Sequence, residues 1–404
     1  MRAARRLSPR IDTDRAVDRM LWGFSALSAC LAAGYGVLFT VVGDYRTAYG
    51  ISESMIGLII GIGFIAGFVS QMLIAPLGDR GFARRLVVGG VLANVVGLAM
   101  MGLGDDTPTI LAGRIISGLA IGTASPAIRR IVVVAAPAHL GRNLGRLLAA
   151  DVFGFALGPA VSAVLVGPFG LAAPFFVIGG LSLVVVVVTL PVARGAESGG
   201  EPSPRLAIDL LSSRTFLGAV VLGSTGFLMI GAFDALWDVV HEDLGTVDWL
   251  ANLGITLFAI PLVVLGPVGG TLAQTVGPFR VAAVGLLAAA VFMTIYGLVP
   301  TGGWIVAVAM GHAVTDGLTF AAGGVAVGMT APPGRQAGAQ GVLGAGQALL
   351  AGIMAVVTGG VYEQWGRTTA YASAAVVMVV LVAVGMWLAR DVATRRPALV
   401  DVAT

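Results

Sequence analysis

The chain has 404 residues, of which 57% are hydrophobic and 11% charged, with a mean hydropathy of +0.95 and a formal net charge of +3. A soluble domain carries about 25% charged residues, so a water-soluble fold of this length is excluded. A single cysteine, Cys30, excludes an intramolecular disulfide and any multi-cysteine metal site.

Apolar runs follow one another from Met20 to Ala389. Each is near the roughly 20 residues a helix needs to cross the hydrocarbon core. In lipid only helices or a closed barrel satisfy the backbone, and the runs lack the two-residue alternation of barrel strands. The predicted class is therefore all-α integral membrane. Spans are expected at 20–43, 54–76, 86–103, 109–127, 147–166, 170–191, 216–237, 250–272, 281–299, 303–325, 339–361 and 371–389. An N-terminal arm (1–19) precedes a six-helix bundle (20–191). A Gly/Ser/Pro-rich linker (192–214), read as flexible, leads to a second six-helix bundle (215–390) and a tail (391–404). Leu27-Ser28-Ala29-Cys30 has the look of a lipoprotein cleavage box. The arm before it is long and contains Asp12, Asp14 and Asp18, and the apolar stretch runs on to Gly43, so Cys30 is expected uncleaved and buried.

The chain has no lysine, and its 24 basic residues are arginines. All but Arg46, Arg114 and Arg367 fall on one face when the termini are placed together on it. The asymmetry predicts both termini in the cytoplasm, an even number of spans and residence in the cell (inner) membrane. The basic pI reflects these flanks, not nucleic-acid binding.

The connection after the second span of each half repeats. The first reads Ala75-Pro76-Leu77-Gly78-Asp79-Arg80-Gly81-Phe82-Ala83-Arg84-Arg85, and the second Gly270-Thr271-Leu272-Ala273-Gln274-Thr275-Val276-Gly277-Pro278-Phe279-Arg280. Paired halves are expected of transporters that rock one half against the other. The first loop resembles the signature between helices two and three of the major facilitator superfamily, with Leu77, Asp79, Arg80, Arg84 and Arg85 matching. It has one extra residue before the arginine pair. Arg114 to Gly122 resembles that family's Arg-and-glycine motif in helix four. Gly154-x-x-x-Gly158-Pro159 resembles the motif of its proton-driven exporters, with Ser162-Ala163 in place of the following glycine pair. The resemblance implies two pseudo-symmetric six-helix bundles around a central cavity.

The residues themselves suggest roles. A carboxylate at Asp79, on a helix end among arginines, is suited to accept charge-assisted bonds from a helix N-terminus or an arginine and so to act as a latch. Glycines recur at four-residue spacing, which allows close helix approach in lipid. Gly154, Gly158 and Pro159 are expected to form a bendable seal between the halves. Charge inside a span costs about 2.5–3.5 kcal/mol on insertion scales, so its default reading is functional. Arg114 is expected to face the cavity, and Asp151, Asp234, His312 and Asp316 are the proton-coupling candidates. Asp151 has the alternative of pairing with Arg146. Asp238, His241, Glu242 and Asp243 are expected solvent-exposed at the outer mouth. Tyr35 and Phe233 are candidate substrate-facing aromatics, whereas Trp22 and Trp237 are read as interface anchors.

No phosphate loop, two-His metal motif or nucleophile turn occurs in the sequence, so no enzyme activity, ATP use or resident cofactor is expected. The leading expectation is a monomeric transporter working by alternating access and driven by the proton gradient, which exports small amphipathic molecules. A symporter or facilitator for a sugar or organic anion is the alternative.

Overall fold

The computed structural model describes residues 9–51, 53–189 and 206–393, with side chains left out at some helical positions. The described residues are almost entirely helical. In the first half these are α1 (Pro9–Tyr49), α2 (Glu53–Leu73), α3 (Ala83–Leu103), α4 (Thr107–Ala135), α5 (Leu140–Phe169) and α6 (Ala172–Thr189). The second half has α7 (Arg214–Asp243), α8 (Asp248–Val276), α9 (Pro278–Leu298), α10 (Gly302–Thr319), α11 (Ala322–Thr330) and α12 (Gln336–Leu388).

The helix α12 has 53 residues, about 80 Å at 1.5 Å per residue, more than twice a bilayer core of about 30 Å. It is two crossings, 336–365 and 367–388, broken where Gly366 takes φ 76°. That left-handed geometry suits glycine. Helices α10 and α11 form one crossing interrupted after Thr319. Twelve crossings result among the described residues, six per half.

Several boundaries depart from the sequence reading. Helix α1 begins at Pro9, so part of the arm at 1–19 is helical. Helix α4 runs to Ala135 and α5 starts at Leu140. Arg129, Arg130, Arg142 and Arg146 therefore lie on helices, not in a loop. Of the expected flexible linker, residues 192–205 lie outside the described residues. In its remainder Ile208–Ser212 is a short 3-10 turn, with Leu210 buried within it and Ala207 buried just before it.

The hydrophobic core has a telling shape. At the arginine-rich face one continuous cluster takes in both halves, from Phe24, Val87, Ile128 and Leu144 to Phe216, Val325, Val342 and Leu343. Toward the other face the core divides. One cluster, around Val37, Leu98 and Phe175, belongs only to the first half. Another, around Leu236, Met293 and Tyr371, belongs only to the second. The halves are joined at one end and separate at the other.

Candidate functional site

The joined end is built from two seams. In the first, a 3-10 turn at Ala75–Arg80 follows α2 and ends at Gly81 (φ 90°). It places Asp79 under the start of α12, where unpaired backbone N–H groups point outward. One carboxylate oxygen accepts from Ala337 N–H at 2.8 Å and Arg130 Nε at 3.1 Å, and the other from Gly338 N–H at 2.7 Å. Gly78 and Gly338 make the approach possible: a Cβ on Gly78 would crowd Ala337, and one on Gly338 would crowd Ala207 and Asp79. Arg80 and Arg85 are exposed and Arg84 half-buried, with Arg85 over the Phe82 ring at 5.5 Å. Arg130 holds Asp79 from α4. The span predicted from hydropathy ends at residue 127 and so leaves Arg130 off the helix. The available signal was the absence of any turn residue between Ala127 and Ala135.

The seam is braced from the linker. Arg335, one residue before α12, is bidentate to Asp209 at 3.0 and 2.7 Å and also donates to Leu206 O. The guanidinium holds the Asp209 carboxyl below its ordinary range, and Asp209 raises Arg335 in turn.

In the second seam α5 packs on α8. Gly141 and Gly145 face Gly266 and Gly270, and a Cβ on Gly141 or Gly270 would run into the partner's carbonyl. Gln274, the repeat counterpart of Asp79, bridges the seam. Its Oε1 accepts from Gly141 N–H at 2.7 Å and its Nε2 donates to Ala138 O at 3.1 Å. Gly154 and Gly158, expected between the halves, face elsewhere. They meet Ala29, Ala33, Gly36 and Val37 of α1 within their own half. Helix α5 stays continuous through Pro159. That proline leaves the Phe155 carbonyl without its helical donor, and α1 presents Gly36 against the same carbonyl.

Deeper in the first half, Arg114 is 2% exposed and not open to a cavity. Its Nε and Nη2 donate to Ile59 O and Ile60 O at 3.2 and 3.3 Å, and its guanidinium lies 4.4 Å from the Tyr35 ring centre. Gly63 supplies the room, since a Cβ there would overlap the guanidinium. Tyr35 packs on Phe64 and Phe155 at 5.4 and 5.8 Å. Asp151 accepts from Ser28 Oγ and pairs with Arg129 at 3.5 Å. Arg146, its expected partner, instead stacks over Trp22.

In the second half, Phe233 packs among Trp237, Phe258 and Tyr296 at 4.5–6.2 Å. Trp237 is buried rather than an interface anchor, and His241 is buried against Thr246, not exposed; Glu242 and Asp243 are exposed. His312 lies buried between Phe292, Phe258 and Tyr296, with Tyr296 Oη 3.0 Å from its Nδ1 and Asp316 Oδ2 3.6 Å from its Nε2. Asp316 also lines a cavity of about 20 Å³ between α7, α9 and α10, walled by Gly226, Met229, Gly285 and Thr319. That is room for about one water. Asp316 Oδ2 has no hydrogen-bond partner among the described residues. The side chains of Asp234 and Asp238 lie outside the described residues. Tyr35 and Phe233 are not brought together; each packs in its own half.

Comparison with known proteins agrees with this architecture. The Major Facilitator Superfamily profile matches residues 24–246 and 215–402. The chain belongs to the major facilitator superfamily. Such a chain is a multi-pass membrane transporter, not an enzyme. It is 22% identical over 219 residues to quinolone resistance protein NorA of Staphylococcus aureus (strain MSSA476), covering 52% of this chain and 55% of that protein. It is 27% identical over 203 residues to the uncharacterized MFS-type transporter MT2531 of Mycobacterium tuberculosis (strain CDC 1551 / Oshkosh), covering 47% of each. The match thus spans about half the length of these curated relatives. Among solved structures, the proton:xylose symporter XylE bound to 6-bromo-6-deoxy-D-glucose superposes with TM-score 0.78 at 14% identity, over 93% of this chain and 96% of that one. The human organic anion transporter MFSD10 (TETRAN) superposes with TM-score 0.72 at 17% identity, over 92% and 99%. At these identities the likeness is one of fold.

Proposed function

We propose that this superfamily member is a proton-coupled exporter of small amphipathic compounds, working as a monomer by alternating access with its arginine-rich face in the cytoplasm. The observation that carries the reading is the divided core. Two rigid halves that share one hydrophobic cluster at one face and none at the other are poised to exchange which end is joined. With the Asp79 and Gln274 seams made, the cytoplasmic side is closed and the path opens outward. Asp316 with His312 and Tyr296 in the second half, and Asp151 in the first, are the groups proposed to take the proton. Arg114, held by backbone carbonyls, orders α1, α2 and α4 rather than binding an anion in this state. The likeness to a quinolone resistance protein supports drug-like substrates. The fold shared with a proton:xylose symporter keeps metabolite symport as the competing reading.

Purified protein in liposomes with an imposed pH gradient separates the two. Export coupled to proton entry moves an amphipathic dye against the direction of proton flow and stops with a protonophore. Movement of substrate in the same direction as protons supports symport, and indifference to the gradient removes proton coupling.

A further inference from the structure

The outer surface of the α5/α8 seam carries a feature that the transport cycle does not use. On α5, Gly141 and Gly145 face α8, Gly154 and Gly158 face α1, and Leu144 reaches Gly324 of α11. The remaining face carries Arg142 and Arg146 one turn apart, then the exposed Phe153 and Val164. On α8, Ile260, Val264, Val268, Leu272 and Val276 are exposed at four-residue spacing. Apolar side chains exposed in such a stripe mark the lipid-facing surface. Between these faces lies an open groove of about 420 Å³ lined by Arg142, Pro267, Val268, Thr271, Leu272 and Thr275. Arg142 Nε and Arg146 Nη1 are buried yet have no hydrogen-bond acceptor among the described residues. The Arg146 guanidinium rests 5.6 Å above the ring of Trp22, which is 67% exposed. The one carboxylate on α5, Asp151, is engaged by Ser28 and Arg129 and does not serve them.

We infer that this groove is a binding site for an anionic phospholipid of the leaflet on the arginine-rich side. The phosphate lies against Arg142 and Arg146, and one acyl chain runs along Val264, Val268 and Leu272. The charge complementarity is specific: Arg142, with an unused donor, lines the apolar trough, and Arg146, with another, follows one turn further along α5. Basic pockets between membrane helices recognise anionic headgroups in this way. Trp22 suits the headgroup boundary. A lipid bound there touches both halves at once and must leave when α5 and α8 part.

The test is native mass spectrometry of the purified full-length protein from mixed micelles containing phosphatidylglycerol and phosphatidylcholine with the same acyl chains. Wild type is expected to retain phosphatidylglycerol with about tenfold preference. Arg142→Ala/Arg146→Ala should bring the ratio near parity, and the tail variant Arg395→Ala/Arg396→Ala should leave it unchanged. Val268→Trp, which fills the groove and keeps both arginines, should lower retention in the same way and covers the case in which the double variant fails to fold. The inference is overturned by an absent preference in wild type, by a preference that survives both groove variants, or by equal loss in the tail variant. Displacement of the lipid by millimolar glycerol phosphate would also overturn it, because that makes the site one for a soluble anion.

Discussion

Replacing Asp79 by Asn tests the seam at its strongest point. The carboxylate accepts two backbone N–H groups and Arg130, all from buried partners. An amide of the same shape keeps one acceptor oxygen and turns its NH₂ toward a donor. One hydrogen bond to a charged group is lost, worth about 1.5–3 kcal/mol. Arg130 also keeps its charge without a counter-ion, and breaking a buried pair costs about 3–5 kcal/mol. These losses overlap and are partly relieved by water once the seam opens, so about 3 kcal/mol is the expected net cost to the joined state. That shifts the ratio of joined to parted conformers by about 100-fold. The shift is measured by electron–electron double resonance between spin labels at Phe82→Cys and Pro333→Cys, two exposed positions on opposite sides of the seam, with Cys30→Ser removing the native thiol. Wild type should give a short, narrow distance distribution, and Asp79→Asn a longer and broader one. An unchanged distribution in a folded, membrane-inserted variant refutes the latch.

Three further outcomes follow from the same geometry. Gly141→Val places a side chain against the Gly270 carbonyl; it should part the α5/α8 seam and cut transport to roughly a tenth or less, read by the spin-label distance and by vesicle uptake. Asp316→Asn removes the buried carboxylate beside His312; gradient-driven transport should be lost while substrate exchange at equal pH persists, and retention of both excludes Asp316 from coupling. Asp209 is held below its ordinary range by Arg335, so its contribution is present above about pH 4 and lost as pH falls through the lowered value. Its side chain is 49% exposed, which limits that contribution to under about 1 kcal/mol. Asp209→Ala should therefore lower the melting temperature slightly at neutral pH, and the deficit should shrink as pH falls below about 4.

The all-α membrane class and the pairing of the two halves were legible because hydropathy and a repeated loop act over whole segments. Positions that depend on which face a helix presents were less so. Arg114 reads as a cavity charge until the carbonyls of Ile59 and Ile60 and the gap at Gly63 are seen. His241 sits among acidic residues in the sequence and yet packs inward on Trp237. The Gly154–Gly158 spacing announces a close approach but not its partner, and α1 rather than α8 takes it. Arg130 falls beyond the span predicted at 109–127, because charge ends a hydropathy run while the helix itself continues to Ala135.

The difference between the repeated loops has a physical reason in what each seam offers. Asp79 meets two N–H groups and a guanidinium, all donors, and an ionised carboxylate is an acceptor only. Gln274 meets one donor, Gly141 N–H, and one acceptor, Ala138 O. A carboxylate there would leave Ala138 O facing a negative charge, whereas an amide supplies one oxygen and one NH₂. Asp and Gln are thus each matched to their own seam, and the match gives the seams unequal strength. Charge-assisted bonds are worth about 1.5–3 kcal/mol each and neutral ones about 0.5–1.5. The α2/α12 seam is accordingly the stronger and the one that protonation or loss of a charge can release. The α5/α8 seam relies on glycine-to-backbone contact and a neutral bridge, and is held mainly by shape.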